Sequence, residues 1–356
     1  MTGLTRLELR RVELDLDPPQ SNARGTWTRR TALLLELHGP SGVEGRGEAS
    51  PLPEYSRDDI DGCERALASI EPEQIAALDR RPVAELLAAA AALVPAELPA
   101  ARFGLETALL DRAARWTGRP LFQLLPEPIA TVAASQAPLC ALLPSGEPGL
   151  ARERARAHVR AGITTFKLKL GPGDMSGPQA ATLAGLREEF GDRIALRVDA
   201  NRSLERATWA ATLARLAVYR VELVEEPLER PLPEELAGSP CPIALDESLQ
   251  GADLPAIERW IVRGRVRAVV LKPTALGGFQ VCLQIARLAA EAGCDAIVSH
   301  ALEGPIGWAA CAHLALALRS PRAAGLWPLA HQAAPSPPIT GGRLSAPTAP
   351  GLGTSP

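Results

Sequence analysis

The sequence predicts an α/β protein in which a (β/α)8-type barrel follows a smaller N-terminal α+β capping domain. Three observations carry this expectation. From about residue 130, short apolar runs alternate with amphipathic stretches, and the clearest run ends (169, 199, 225, 246, 272 and 300) lie 21 to 30 residues apart. That spacing is one strand plus one helix, and about eight such units close a barrel. Five consecutive runs end on charge: Lys169 in TTFKLKLG, Asp199 in IALRVDA, Glu225 in VELVEEP, Asp246 in PIALDES and Lys272 in AVVLKP. Before residue 120 the order is different, with strands first and helices after them.

In the cap, residues 4–16 and 30–38 alternate or run apolar at strand length. The polar stretch PPQSNARGTWT between them is too long for a tight turn and is expected to be a loop. VEGRGEAS supplies a third extended segment, and the Pro-rich SPLPEYS leads to Ser56, a helix-start signal. Helical patterns follow in RPVAELLAAAAAL and in ARFGLETALLDRAARWTG, where Gly118 suits a C-terminal cap. Barrel strands are expected near 131–141, 164–170, 194–199, 221–226, 242–247, 267–272, 295–300 and 323–327. The last is the weakest, because GLWP is short and no clear helix follows it. The expected division is a cap over 1–120, with lid loops near 17–29 and 50–57, a barrel over 121–330 and an irregular tail over 331–356. A doubly wound sheet is the alternative, but no Gly-rich phosphate turn follows the first strands.

Composition excludes several classes. The 356 residues carry 38 basic and 41 acidic side chains spread along the chain, so no basic block suggests nucleic acid or an anionic membrane. No apolar run approaches the roughly 18–20 residues that span a bilayer, and the charged, alternating N-terminus is no signal peptide. Cys63, Cys140, Cys241, Cys282, Cys294 and Cys311 lie far apart without a CxxC pair, which fits reduced thiols in a cytoplasmic protein better than a disulfide framework. Nothing in the patterning sets the oligomeric state, and a homo-oligomer is compatible with it.

On a barrel, Lys169, Asp199, Glu225, Asp246 and Lys272 would converge. Three clustered carboxylates need a cation, and oxygen-only ligands point to a hard divalent ion, Mg²⁺ first and Mn²⁺ second. Such an ion can bind a substrate carboxylate and stabilise the enediolate left when its α-proton departs. A lysine can take that proton if its pKa falls, and the ion and Lys167 would both push Lys169 that way. The expected partner is therefore a small-molecule carboxylate. Each residue alone would more often be a solvated strand end; the set of five on consecutive strands points to a site.

The segments KLKLG, RVDANRS, VEEP, ALDES and LKPTALGG closely resemble the muconate-lactonising subgroup of the enolase superfamily, a superfamily known for Lys or His bases working with Mg²⁺. The resemblance covers nearly the whole chain and implies an α+β cap and a modified barrel. It implies Asp199, Glu225 and Asp246 as metal ligands, with Glu226 and Glu247 as the neighbours most open to a register error. Lys169 and Lys272 match the two lysines that face opposite sides of the substrate. GRGEASPLPEYS, ARFGLETALLD, RVDAN with Arg197, and SHALEGPIG look like the o-succinylbenzoate synthase branch. That likeness implies syn dehydration of 2-succinyl-6-hydroxy-2,4-cyclohexadiene-1-carboxylate in menaquinone biosynthesis, a hydro-lyase reaction. Lys169 would act as base and then acid, and Lys272 would steady the anion.

Further residues are expected around this centre. Arg197 shares a strand face with Asp199 and is expected to form a buried ion pair below the metal. Asn201 could orient a ligand. Ser299 and His300 end the seventh run; the His-base arrangement of another branch lacks its Asp partner, because Lys272 stands there. Glu303 could contact Lys272 or cap the helix beginning near Pro305. Trp27 and Tyr55 lie in the lid segments. The competing readings are an N-succinylamino-acid racemase, a dipeptide epimerase, which the acid-free AAGLWPLA disfavours, and a non-catalytic barrel scaffold.

Overall fold

The computed structural model describes residues 3–22, 25–126, 136–171, 177–329, 332 and 336–353. Alternation in the first fifty residues becomes an antiparallel sheet of β1 (Arg6–Asn22), β2 (Gly25–Gly39) and β3 (Gly42–Ala49). The β1–β2 pairing runs out to Asn22 opposite Gly25, with a register shift between Asp15 and Gln20. The stretch expected as a lid loop near 17–29 is thus largely a two-stranded ribbon. A register shift absorbs its two prolines, which cannot donate to a ladder.

Helices α1 (Ile60–Ala68), α2 (Pro72–Ala76), α3 (Val83–Leu93) and α4 (Pro99–Trp116) complete the cap. Asp59, not Ser56, caps α1, its side chain accepting from the Gly62 N–H. Helix α4 ends as expected: Gly118 takes φ +67°, and the Arg119 N–H returns to the Ala114 carbonyl. Strand β3 lies directly on α4, because Gly45 and Gly47 carry no Cβ that would strike the Ala108 and Gly104 carbonyls.

The remaining elements in chain order are β4 (Gln136–Pro138), β5 (Cys140–Leu143), α5 (Pro148–Arg160), β6 (Thr165–Lys169), α6 (Pro178–Phe190), β7 (Ala195–Asp199), α7 (Trp209–Ala217), β8 (Leu223–Glu225), α8 (Pro233–Ala237), β9 (Ile243–Leu245), α9 (Leu254–Val262), β10 (Ala268–Leu271), α10 (Pro273–Leu276), α11 (Phe279–Glu291), β11 (Asp295–Val298), α12 (Pro305–Leu318), β12 (Ile339–Thr340) and β13 (Arg343–Ser345). Strands β5 to β11 form one parallel sheet in sequence order. Its ends meet through residues 324–325: Ala324 bonds Pro138 and Cys140 on one side, and Gly325 bonds Val298 on the other. The eighth strand expected at 323–327 is therefore two bridging residues rather than a ladder, and they close the ring. Part of the expected strand at 131–141 lies outside the described residues.

Crossover helices such as α7, α9 and α11 present an apolar stripe to the sheet, whereas α12 is buried on all sides from Gly307 to Ala317. In α7 the buried residues Trp209, Thr212, Leu213 and Leu216 recur at helical spacing. Truncating a fully buried leucine such as Leu196 or Leu213 to Ala should cost about 2–5 kcal/mol. Inside the ring, small and branched residues (Leu223, Ala244, Ala268, Val270 and Ile297) pack together below the rim. All six cysteines are buried and free, and no helix among the described residues is long and apolar enough to cross a membrane.

The tail expected to be irregular contains the β12–β13 hairpin, which pairs with β4. It then returns to the cap, where the Leu352 N–H bonds Asp111 of α4. Its strands of two and three residues are too short for periodicity to reveal.

Candidate active site and metal centre

Parallel register builds the rim. Lys169, Asp199 and Glu225 are direct neighbours across β6, β7 and β8. Asp246 follows β9 and Lys272 follows β10, so all five expected residues stand at strand C-terminal ends. Lys167 shares the Lys169 face by period two. Its Nζ bridges Asp199 Oδ2 at 2.8 Å and Glu225 Oε1 at 3.1 Å. Lys272 donates to Asp246 Oδ2 and, at 3.0 Å, to the Tyr55 hydroxyl, which itself donates to Asp246 Oδ1 at 3.1 Å. The Lys272 ammonium also lies 4.8 Å from the centroid of the Tyr55 ring. The cap thus reaches the rim through Tyr55, and Trp27 packs with Leu52, Tyr55, Ala275 and Ala301 above it.

Burial and crowding set the protonation of the cluster. Burial lowers Lys169 to about 8, and the cations of Lys167 and Lys272 push the same way against Asp199 and Glu225. Burial also opposes the charge on Lys272, but Asp246 outweighs it and holds that ammonium well above its ordinary value. Lys167 is raised in the same manner, burial being overcome by Asp199 and Glu225. Burial raises Glu225 to about 7 despite Lys167, and Asp199 and Asp246 add repulsion. At Asp199 burial is outweighed by the lysines, chiefly Lys167, and the carboxyl is held low.

The two neighbours of the candidate ligands do different work. Glu226 turns away from the rim, with φ +41°, and is fully buried. It accepts from the Asp246 N–H at 2.8 Å, the Ser248 N–H at 3.1 Å and the Ser248 hydroxyl, fixing the loop that carries Asp246. Glu247 accepts from Asn201 Nδ2 at 3.2 Å, while the Asn201 N–H donates to Asp199 Oδ1 at 3.1 Å. Asn201 therefore links two carboxylates of the rim.

Other expected residues sit differently. Arg197 does not pair with Asp199. Its Nε reaches Glu222 Oε2 at 2.6 Å and its Nη1 the Ala323 carbonyl at 2.7 Å, at the opposite end of the strands. Period-two alternation fixes the face of a side chain but not the level to which a long one extends. Ser299 donates to the Gly325 carbonyl at 3.1 Å and so braces the closing bridge. His300 Nδ1 accepts from the Leu302 N–H at 3.1 Å. Glu303 accepts from the Ala301 N–H at 2.7 Å. The start of α12 is capped instead by Glu48 of the cap, whose oxygens accept from Gly304 and Gly307 at 2.6 and 2.9 Å.

Sequence reasoning missed Glu48, Arg30 and Glu106 as joints between cap and barrel. Arg30 is buried and donates to the Ala301 and Ser50 carbonyls. Glu106 of α4 accepts from the first N–H groups of α11, Phe279 and Gln280, just beyond Lys272. The available signal was a lone Glu inside the apolar stretch RFGLETALL.

The donor set fits a hard divalent cation. Asp199, Glu225 and Asp246 offer only oxygen, and Glu247 Oε2 is buried without a hydrogen-bond donor. Among the described residues no three His, Cys, Asp or Glu side chains stand at mutual ligand spacing. Lys167 draws Asp199 and Glu225 toward itself while Lys272 draws Asp246, so the fit rests on strand register rather than on the present rotamers.

A closed parallel barrel with a Lys–Asp–Glu–Asp–Lys rim under an α+β cap defines the enolase-type class of barrel enzymes. The family model for the mandelate racemase/muconate lactonizing enzyme N-terminal domain matches residues 5–126, and the enolase C-terminal domain-like model matches residues 150–356. The chain belongs to this enolase-superfamily family. It is 30% identical over 342 residues to an o-succinylbenzoate synthase of Desulfotalea psychrophila, covering 88% of this chain and 90% of the relative. It is 33% identical over 317 residues to an N-succinylamino acid racemase of Thermus thermophilus, covering 86% and 81%. Among solved structures, muconate lactonizing enzyme from Pseudomonas fluorescens, complexed with muconolactone, superposes with TM-score 0.85 at 25% identity, over 99% of this chain and 96% of that one. A dipeptide epimerase from Methylococcus capsulatus, complexed with Mg and the dipeptide L-Arg-D-Lys, gives TM-score 0.82 at 27% identity over 99% of each chain.

Proposed function

We propose that this chain is an o-succinylbenzoate synthase, dehydrating 2-succinyl-6-hydroxy-2,4-cyclohexadiene-1-carboxylate to o-succinylbenzoate. Asp199, Glu225 and Asp246 would hold Mg²⁺, or Mn²⁺ in its place, and the ion when bound supplies stabilisation of negative charge on the substrate carboxylate. Lys169 Nζ accepts the proton on the ring carbon bearing that carboxylate. The adjacent C–OH bond then breaks, and the same nitrogen returns its proton to the departing hydroxyl, so one water leaves. The electron pair of the broken C–H bond becomes the last double bond of the aromatic ring, and no redox partner is needed. Lys272 remains an ammonium on the opposite side and offsets the transient anion. Lys167 keeps Asp199 and Glu225 in place, and Tyr55 with Trp27 closes the cap over the site.

The observation that carries this reading is the unequal setting of the two lysines. Lys272 is clamped as a cation between Asp246 and the Tyr55 hydroxyl, which suits an electrostatic role. Syn elimination needs only one lysine to move a proton, whereas 1,1-proton transfer needs both. The resemblance to an N-succinylamino acid racemase keeps racemisation as the second reading. The two are separated by supplying the protein with Mg²⁺ and the cyclohexadiene carboxylate, following aromatisation by ultraviolet absorbance, and running N-succinylamino acids by polarimetry. Chelator-sensitive dehydration with little racemisation is expected; racemisation without dehydration overturns the reading.

A further inference from the structure

Beside the rim lies a cleft of about 700 Å³ whose arginines the mechanism above does not use. Its walls come from five places: residues 54–57 of the cap, Arg202 after β7, residues 230–233 after β8, Glu247, Ser248 and Gln250 after β9, and Arg259 and Trp260 of α9. Four arginines line it (Arg57, Arg202, Arg230 and Arg259) against two glutamates, Glu54 and Glu247, in a chain whose formal net charge is −3. The concentration of positive charge is therefore local.

The walls are braced independently of any ligand. Arg206 donates to the Glu229 and Arg230 carbonyls at 3.0 and 3.2 Å, and Trp260 Nε1 donates to the Pro231 carbonyl at 2.9 Å. Arg202 is anchored through its Nε to Glu226 at 3.3 Å. No hydrogen bond or ion pair with another described residue engages the side chains of Arg230 or Arg259. Tyr55, Glu247 and Ser248 form the inner wall, and these same residues touch the rim: Tyr55 through Lys272 and Asp246, Glu247 through Asn201.

We propose that this cleft is an outer binding site for small dicarboxylates, which captures the substrate by its distal carboxylate before the reacting end reaches the lysines. The inference rests on the reading of a succinyl-bearing substrate, since each candidate substrate carries a carboxylate at the end of that arm. Guanidinium forks match carboxylates in shape as well as charge. A cleft with an excess of positive charge beside low-dielectric walls focuses the field and raises the local concentration of the anion.

The test uses the full chain, succinate as probe and the double variant Arg230→Gln/Arg259→Gln. Both side chains are exposed, so an unchanged melting temperature is expected. Calorimetric titration should show salt-sensitive succinate binding to the parent protein, weakened about tenfold in the double variant. Arg230→Lys/Arg259→Lys, which keeps both charges, should recover most of it. For turnover of the cyclohexadiene carboxylate, the Gln variant should lose most of its kcat/KM through KM, with a flatter dependence on ionic strength. Equal succinate affinity and equal salt dependence in parent and Gln variant overturn the proposal. If the parent binds succinate through these arginines but never dehydrates the cyclohexadiene carboxylate, the reaction is wrong and the cleft stands.

Discussion

Two clusters of charge occupy opposite ends of the same strands. At the N-terminal ends Arg197 and Arg322 share Glu222, and Arg322 also pairs with Asp295 at 2.6 Å. At the C-terminal ends Lys167, Lys169 and Lys272 stand among Asp199, Glu225 and Asp246. The lower cluster uses guanidinium, whose charge is permanent and whose fork is held by carboxylate and carbonyl oxygens. The upper cluster uses ammonium, whose proton can be lost when burial and neighbouring cations lower its pKa. On the proposed function, that difference separates a brace from the proposed reaction centre on one strand. Residue type, level along the strand and burial all differ: Glu222, Asp295 and Arg322 are half-buried, whereas Asp199, Glu225, Asp246 and Lys272 are buried.

The largest effect that would sharpen this contrast is at Lys272. Lys272→Ala should cut turnover by about 10²–10³, the usual loss when one charge-stabilising group is removed. Its far-ultraviolet circular dichroism should stay native; a loss of fold instead would make Lys272 a brace like Arg197. At the other end, Arg197→Met should cost about 2–3 kcal/mol in urea unfolding. That is below the roughly 3–5 of a sealed pair, because Glu222 keeps Arg322. Activity per folded molecule should hold, and a selective loss of activity would erase the contrast.

A finer break lies within the rim. Asp246→Asn should weaken divalent-ion binding, measured calorimetrically, by about ten- to a hundredfold, and Glu247→Gln by less. The reverse order would mean that Glu247, with its unpaired buried oxygen, is the ligand. The smallest effect is in pH. Lys169 must be neutral to accept a proton, and its pKa is lowered to about 8. A bound cation pushes the same way, so the kcat/KM of the metal-loaded protein should rise with pH and level off at or below about 8. A profile flat from pH 6 to 9 would exclude Lys169 as the titrating base.

Much of the candidate site was legible because five consecutive barrel strands each deliver one charged candidate residue at their C-terminal end, and one βα unit spaces those ends evenly along the chain. Glu225 and Glu226 could be told apart only in three dimensions, where one faces Lys167 and the other ties down the Asp246 loop. Arg197 was assigned to the right face and the wrong end. The closing bridge at 324–325 and the β12–β13 hairpin left little signal, since Ala324 and β13 pair with the segment around Pro138, at the other end of the barrel sequence. The partners of Glu48 and Glu106 were hidden for a related reason: the helix starts they cap belong to the other half of the chain.

The most direct test of the central claim is Lys169→Ala assayed beside the parent and Arg197→Met, at equal folded concentration with Mg²⁺ and the cyclohexadiene carboxylate. Aromatisation should fall by about 10²–10⁴ in Lys169→Ala, the scale of a lost general base, and stay near the parental rate in Arg197→Met. Parental turnover by Lys169→Ala would contradict the account and leave the upper cluster without its base.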